Sequence, residues 1–194
     1  MKVAIVKYNA GNTASVTNAL RRLGVEPVIT DNRETLAAAD KVIFPGVGEA
    51  SSAMEHLRSN GLDENIRFLR QPFLGICLGM QLLCEATEEN STECLGVIPG
   101  RVRQFKANGL KVPQIGWNTL QGLDSPLFER VVEGAHVYFV HGYYVEAGPQ
   151  TIAAAEYGTV FSAALRHRNF YAVQFHPEKS GPVGRSIMEN FLNL

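Results

Sequence analysis

Residues 73–79 read Phe-Leu-Gly-Ile-Cys-Leu-Gly. The apolar run that ends at Ile76 predicts a buried strand, and the apolar spacing of Leu78 and Leu82 predicts a helix directly after it. A strand that leads straight into a helix is the repeating unit of a parallel α/β sheet. Cys77 lies at the turn between the two, with a glycine two residues before it and another two residues after it. This is the G-x-nucleophile-x-G pattern, in which small neighbours are needed because the turn is sharp and closely packed.

Further strand and helix patterns surround this stretch. Before it, apolar runs predict strands at 3–6, 28–30 and 41–44, and helical spacing predicts helices at 13–23 and 49–59. After it, glycines punctuate shorter strand patterns at 137–145, 152–156, 163–168 and 171–175, and a last helix is predicted at 183–192. These patterns predict an open, mostly parallel, doubly wound sheet with helices on both faces and some antiparallel strands in the C-terminal half. We expect residues 1–194 to form a single domain.

Composition excludes several classes of function. The chain has 194 residues, 18 basic against 19 acidic side chains and a formal net charge of −1, whereas nucleic-acid binding needs a basic face. Its apolar runs are too short to span a membrane. Its three cysteines, Cys77, Cys84 and Cys94, match neither a disulfide framework nor a zinc site. We therefore expect a cytoplasmic protein with no metal, no cofactor, no nucleic-acid partner and no membrane association.

A cysteine nucleophile needs a base, and the chain offers five histidines: His56, His136, His141, His167 and His176. Only His141 and His176 follow predicted strands in a way that could bring them beside Cys77, at the sheet edge where open α/β sheets place their ligands. Pro177 and Glu178 follow His176 and can bring a carboxylate to its ring. The pattern favours His176 over His141 as the base and leaves both open. Cys84 and Cys94 lack flanking glycines and are interpreted as structural.

Acyl transfer also needs backbone donors for an oxyanion. The amide of Leu78 heads the predicted helix after Cys77. The turn Gly46-Val47-Gly48 follows a neighbouring strand, although such a turn by itself is more often an ordinary tight turn. We expect these two segments to form an oxyanion hole.

Three motifs in this order resemble the class I, or triad, glutamine amidotransferases: PGVG at 45–48, GICLGMQ at 75–81 and FHPEKS at 175–180. The resemblance implies their flavodoxin-like fold. It also implies that Cys77 attacks the side-chain amide of L-glutamine, that His176 relays the proton and that Glu178 orients His176. Residues expected to hold the glutamine are Gln81, Glu89, His141 and Gly142.

Within that family the chain is most similar to the branch whose members pass ammonia to a separate cyclase subunit, a (β/α)₈ barrel of histidine biosynthesis. The similar stretches include VPQIGWN at 112–118 and YFVHGY at 138–143. The resemblance implies a heterodimer, with an interface that includes Asn12, Trp117, Tyr138 and Lys179. The chain departs from the usual pattern of the branch at Lys7, Asn9, Gln114, Ile115 and Gly142.

Two alternatives remain at this point. One is the glutaminase subunit of another pathway, such as anthranilate, aminodeoxychorismate or pyridoxal phosphate synthesis. GWN at 116–118 and PGVG at 45–48 speak against it. The other is a non-catalytic flavodoxin-like module, against which the presence of Cys77, His176 and Glu178 together argues.

Overall fold

The computed structural model describes residues 1–107 and 109–194. The helices are α1 (Thr13–Arg22), α2 (Arg33–Ala37), α3 (Ala50–Ser59), α4 (Leu62–Phe68), α5 (Leu78–Leu83) and α6 (Gly181–Asn193). The strands are β1 (Val3–Val6), β2 (Val28–Thr30), β3 (Lys41–Gly46), β4 (Phe73–Cys77), β5 (Ala86–Thr87), β6 (Thr92–Glu93), β7 (Arg101–Gln104), β8 (Gln114–Thr119), β9 (His136–His141), β10 (Tyr143–Val145), β11 (Thr151–Glu156), β12 (Val160–His167) and β13 (Phe170–Val173).

A seven-stranded sheet forms the centre of the fold, in the order β11-β12-β13-β4-β3-β1-β2. The pairs from β2 to β13 are parallel, and the pairs among β13, β12 and β11 are antiparallel. β4, which carries Cys77, lies in the middle of the sheet between β3 and β13. The predicted doubly wound α/β fold with antiparallel strands in the C-terminal half is confirmed.

The sheet separates two apolar cores because successive strand residues point to opposite faces. On β1, Val3 and Ile5 join one core, whereas Ala4 and Val6 join the other. The first core packs α1, α6 and β9 against the sheet, with Val16, Leu20, Phe139, Ile187 and Phe191 among its buried residues. The second packs α3, α4 and α5 there, with Met54, Leu57, Ile66, Leu82 and Leu83.

Two small sheets extend the C-terminal half. One has the order β10-β7-β5-β6, and the other is the antiparallel pair β8-β9. The apolar run at 137–145, which the sequence predicts as one strand, is divided at Gly142 between β9 and β10. At the division, Nδ1 of His141 donates to the carbonyl of Tyr143 at 2.7 Å across the bend. The last helix begins at Gly181, two residues before the predicted start.

In the part of the chain that the structure describes, no helix is both long enough and apolar enough to cross a membrane.

Gly79, two residues after Cys77, is required because α5 packs closely against β3. A Cβ added at Gly79 would collide with the backbone carbonyl of Phe44. Gly79→Ala should therefore lower the free energy of unfolding by about 1–3 kcal/mol, the usual range for an overpacked core, measured by urea denaturation. Gly148→Ala is the matched control, because a Cβ there would meet nothing within 4 Å. Equal stability of the two variants would contradict the packing argument.

Candidate active site

Cys77 occupies a strained turn at the end of β4. Its backbone has φ 54° and ψ −110°, a conformation that residues with a side chain rarely adopt. The two glycines of the motif make the turn possible, because a Cβ at Gly75 would lie 2.8 Å from the Leu83 side chain and one at Gly79 would strike β3. Strain of this kind persists only where the surrounding packing imposes it.

The Cys77 side chain is 7% exposed and lies at the N-terminus of α5. Its sulfur is 3.6 Å from the carbonyl oxygen of Val140 and 3.7 Å from Nε2 of Gln174. The sulfur therefore lies among strands β4, β9 and β13, at the carboxyl edge of the central sheet.

His176 and Glu178 form a buried pair beside it. Nδ1 of His176 is 2.8 Å from Oε1 of Glu178, and the two side chains are 4% and 1% exposed. The pair belongs to a single 3₁₀ turn, Pro177–Lys179, that follows β13. Ser180 fixes this turn, since its hydroxyl donates to the carbonyl of His176 at 2.7 Å and accepts from the amide of Tyr138 at 3.0 Å.

Sheet pairing brings His176 to Cys77. β13 lies parallel to β4 with Val173 opposite Ile76, so the residues that follow each strand meet at the same edge. Burial by itself would lower the pKa of His176, but hydrogen bonds to Cys77 and Glu178 outweigh it and raise that pKa well above its usual range. This environment favours the protonated, imidazolium form of His176.

His141 is placed differently, although it is equally buried. It is the last residue of β9, and both ring nitrogens are engaged: Nδ1 with the Tyr143 carbonyl at 2.7 Å and Nε2 with the Gln114 side chain at 2.9 Å. Burial lowers the pKa of His141 to about 4. The Gln114 atom placed at Nε2 is its amide oxygen Oε1. Because a neutral ring that donates through Nδ1 must accept at Nε2, we assign the Gln114 amide the flipped orientation, with its N–H towards the ring. Of the two candidate histidines, only His176 has a carboxylate partner.

The turn Gly46-Val47-Gly48 lies next to the cysteine, since β3 pairs with β4 in a register that sets Gly46 opposite Cys77. Gly48 has φ 108°, and the Val47 side chain is 40% exposed. The first βα turn supports this loop. Tyr8 donates its hydroxyl to the Pro45 carbonyl at 2.8 Å, and a Cβ at Gly11 would lie 3.0 Å from the same oxygen.

A cleft of ≈ 280 Å³ opens beside these groups. It is lined by Val47, Gly48, Leu78, Gln81, Glu89, Pro113, Val140, His141, Gly142 and Tyr143. All four residues expected to hold glutamine are therefore among those that line it. Glu89 accepts the Ala50 amide at 2.8 Å, and burial raises the pKa of its carboxyl group. A larger cavity of ≈ 390 Å³ between α1 and α6 is lined in part by Glu178, the partner of His176. Neither the cleft nor this cavity has Cys77 or His176 among its lining residues. The cleft is the candidate site because it is lined by Leu78, the residue after Cys77, and by Val140, whose carbonyl oxygen is 3.6 Å from the sulfur.

The residues expected at a subunit interface are spread around the same edge. Trp117 and Tyr138 are opposite each other on β8 and β9, with ring centroids 5.9 Å apart, and Trp117 is 56% exposed. Lys179 is exposed on the turn after His176. Asn12 caps α1, where its side chain accepts the Ser15 amide at 3.1 Å.

The other two cysteines, Cys84 and Cys94, are not among the residues that line the cleft. Cys84 and Cys94 are buried, and burial raises the pKa of each thiol, that of Cys94 to about 12. Among residues 1–107 and 109–194, no three His, Cys, Asp or Glu side chains are grouped so that they could hold a metal ion.

Sequence reasoning missed Tyr8, Gln174 and Ser180 as parts of the site. Gln174 and Ser180 flank the His-Pro-Glu motif, which was the available signal. Tyr8 gave none, because its contact with Pro45 joins residues 37 positions apart.

A cysteine at a strand-to-helix turn, with the N-terminus of the helix beside it and a His–Glu pair at the end of the adjacent strand, has the arrangement of an enzyme that transfers acyl groups through a thioester. The family model for "Glutamine amidotransferase class-I" matches residues 4–194. The chain belongs to this family.

The chain also matches individual named proteins over essentially their full length. The chain is 56% identical over 196 residues to imidazole glycerol phosphate synthase subunit HisH of Bacteroides fragilis, with 100% of both chains covered. It is 45% identical to the subunit of the same name from Idiomarina loihiensis, over 100% of this chain and 98% of that one. A solved glutamine amidotransferase superposes with a TM-score of 0.76 at 21% identity, over 100% of this chain and 98% of that chain, and shows the same fold.

The neutral, buried state of His141 predicts a specific loss of stability in acid. Its pKa of about 4 in the folded chain is below the ordinary histidine value of about 6.5, so the unfolded chain binds the proton first. Stability is then lost as the pH falls from 6.5 towards 4. Between pH 7 and pH 5 the wild type should lose about 2 kcal/mol more unfolding free energy than His141→Gln, measured by urea denaturation.

His136→Gln, a change at an exposed histidine of the same strand, is the control and should behave as the wild type. An equal pH dependence of the wild type and His141→Gln would show that His141 is not held neutral.

Proposed function

We propose that this chain is the glutaminase subunit of an imidazole glycerol phosphate synthase, acting in the cytoplasm as one amidotransferase domain over residues 1–194. It hydrolyses L-glutamine to glutamate and ammonia and passes the ammonia to a cyclase subunit. The observation that carries the proposal is Cys77 on its strained turn beside the buried His176–Glu178 pair. The pathway is supported by the full-length relatives at 56% and 45% identity.

The reaction begins with Cys77 as a thiolate and His176 as an imidazolium. The sulfur attacks the side-chain carbonyl carbon of glutamine, and a C–S bond forms while the carbonyl oxygen takes up negative charge. His176 then gives its proton to the amide nitrogen, the C–N bond breaks and ammonia leaves. Neutral His176 next takes a proton from water, which attacks the thioester. Glutamate departs, and the thiolate–imidazolium pair is restored.

Glu178 keeps this proton transfer in one geometry. Its contact at Nδ1 fixes the ring so that Nε2 is the atom free to exchange a proton with sulfur and substrate. The carboxylate also stabilises the imidazolium in a setting where burial alone would neutralise it. Because both side chains are nearly inaccessible, water screens this pair little.

The oxyanion hole consists of the Leu78 amide at the head of α5 and an amide of the turn Gly46-Val47-Gly48. The cleft then holds the rest of the glutamine through Gln81 and Glu89, with His141 and Gly142 in its wall. Nε2 of Gln81 donates to the backbone carbonyl of Tyr143 and to the side-chain oxygen Oε1 of Gln174. The side-chain oxygen of Gln81 is therefore left to accept a hydrogen bond from the substrate. The Glu89 carboxylate suits an α-ammonium group.

The partner is a cyclase subunit with a (β/α)₈ barrel. Ile115 and Trp117 lie two residues apart on β8, and so on the same face of that strand, and they are 58% and 56% exposed. With Tyr138, which is opposite Trp117 on β9, they form an apolar patch at the edge that carries the cleft. Exposed aromatic and aliphatic side chains of this kind are typical of interfaces. Lys179 and Asn12 complete the interface. Ammonia released at Cys77 would enter the partner across this surface.

The turn Gly46-Val47-Gly48 beside Cys77 can act as a gate on glutaminase activity. Glycines on both sides leave the Val47 peptide able to rotate, so that either its N–H or a carbonyl can face the substrate oxygen. A missing oxyanion donor costs about 10²- to 10³-fold in turnover. The isolated chain therefore has very low glutaminase activity, and binding of the partner raises that activity. Asn12 and Tyr8 lie in the βα turn that contacts this loop.

Substitutions should separate the triad from the other candidate residues. Cys77→Ala should abolish glutamine hydrolysis, and His176→Ala should cost several orders of magnitude in kcat, whereas Glu178→Gln should cost less because an orienting group leaves part of the machinery in place. Cys84→Ala serves as the matched control. Labelling by a glutamine-like diazoketone that mapped to Cys84 or Cys94 would contradict the assignment, as would a larger loss in His141→Ala than in His176→Ala.

Addition of the cyclase subunit and its nucleotide ligand should raise ammonia release at least about a hundredfold. Gly48→Pro should blunt the rise, and Trp117→Ala should weaken the complex by about 2 kcal/mol, as expected for an aromatic anchor, measured by calorimetry. Phe68→Ala removes an aromatic side chain that is 72% exposed on α4 and should leave binding unchanged. Full activity of the isolated chain would refute the gate, and activation by a different synthase subunit would refute the pathway.

A further inference from the structure

Gln174 is a buried polar residue that the mechanism above does not use. It follows β13 directly, its side chain is 0% exposed, and its backbone amide donates to Ala163 at 2.8 Å. Because Val173 is opposite Ile76, Gln174 lies beside Cys77. It is not among the residues that line the cleft, and its Nε2 lies 3.7 Å from the Cys77 sulfur.

Three hydrogen bonds join the cleft wall to the sulfur. Gln81 Nε2 donates to the Tyr143 carbonyl at 3.3 Å and to Oε1 of Gln174 at 3.0 Å, and Gln174 Nε2 donates to the Cys77 sulfur at 3.7 Å. The direction of this chain is fixed, since the Tyr143 carbonyl can only accept. Gln81 must therefore turn its N–H groups towards Gln174, and Gln174 must turn its own N–H group towards the sulfur.

The two polar neighbours of the sulfur favour opposite protonation states. The Val140 carbonyl, 3.6 Å away, can accept from a thiol but repels a thiolate. The Gln174 N–H can donate to a thiolate, and a hydrogen bond to a charged acceptor is stronger than one to a neutral acceptor. Gln174 thus offsets the Val140 carbonyl in a site from which water is largely excluded.

We propose that Gln174 is a positioning residue for the nucleophile: its side-chain amide, held in one orientation by Gln81, stabilises the Cys77 thiolate. The wall of the glutamine cleft and the reacting sulfur are then joined by a single chain of amides. A shift of Gln81 on glutamine binding would be felt at the sulfur through one intervening side chain. The inference rests on the proposed function in taking Cys77 as the reacting group.

Several titratable groups face the same sulfur. His176 approaches from the turn after β13, and Tyr8 approaches from the turn after β1, where burial and the nearby Cys77 raise the pKa of its hydroxyl group. Glu178 acts through His176, and neutral His141 lies on β9. None of these groups is altered by a substitution at Gln174, so a change in sulfur reactivity would isolate the amide.

The test is the rate of Cys77 alkylation by iodoacetamide between pH 5 and pH 10, without glutamine or partner, with the modified peptide quantified by mass spectrometry. In Gln174→Met the midpoint of the profile should move up by about one pH unit, the effect of losing one charge-assisted hydrogen bond. In the activated complex kcat should fall about tenfold with KM within about twofold. Gln81→Met, which removes the anchor, should give a smaller upward shift and also raise KM.

Thr17→Val is the control for loss of a buried polar group, since the Thr17 hydroxyl is buried on α1, and it should leave the midpoint unchanged. An unchanged midpoint in folded Gln174→Met would overturn the inference while leaving the proposed function intact. If that variant does not fold, an unchanged midpoint in Gln81→Met overturns it instead. A wild-type complex without glutaminase activity would contradict the proposed function, whatever the alkylation profile.

Discussion

The close approach of α5 to β3 is the constraint on which the site depends. Gly79 packs against the Phe44 carbonyl, which leaves no room for a side chain and forces the chain to turn sharply at Cys77 with φ 54°. That turn places Cys77 at the carboxyl edge of the sheet and at the N-terminus of α5. It also holds Gly46 opposite Cys77, so the candidate oxyanion loop and the sulfur are positioned by one contact between a helix and a strand.

Two buried histidines at this edge differ in charge because their hydrogen-bond partners differ. Burial lowers the pKa of both His141 and His176. At His141 the opposing hydrogen bond comes from a neutral carbonyl, and the ring stays neutral. At His176 a carboxylate and the cysteine outweigh burial, and the ring favours the proton. The two rings can thus serve as a wall of the cleft and as a proton carrier within the same sheet edge.

The surroundings of Cys77 also link the site to the surface. Tyr8 and Gly11 fix Pro45 from the first βα turn, while Ser180 ties the His176 turn to Tyr138 on the exposed β8-β9 pair. A subunit that bound this edge would therefore contact elements that support both the candidate oxyanion loop and the His176 turn. The same polar contacts that shape the site give a partner a direct way to alter it.

The sequence by itself determined the α/β class and placed Cys77 at a turn from strand to helix, and it favoured His176 over His141 as the base, because glycine spacing, apolar periodicity and the neighbouring Glu178 are local signals. It did not determine the division of 137–145 at Gly142, the second hydrogen bond of His141 or the place of Gln174 beside the sulfur. These depend on contacts such as Gln114 with His141 and Gln81 with Gln174, which join residues 27 and 93 positions apart. Only the packing of strands distant in the chain creates such contacts, so only the tertiary structure decided them.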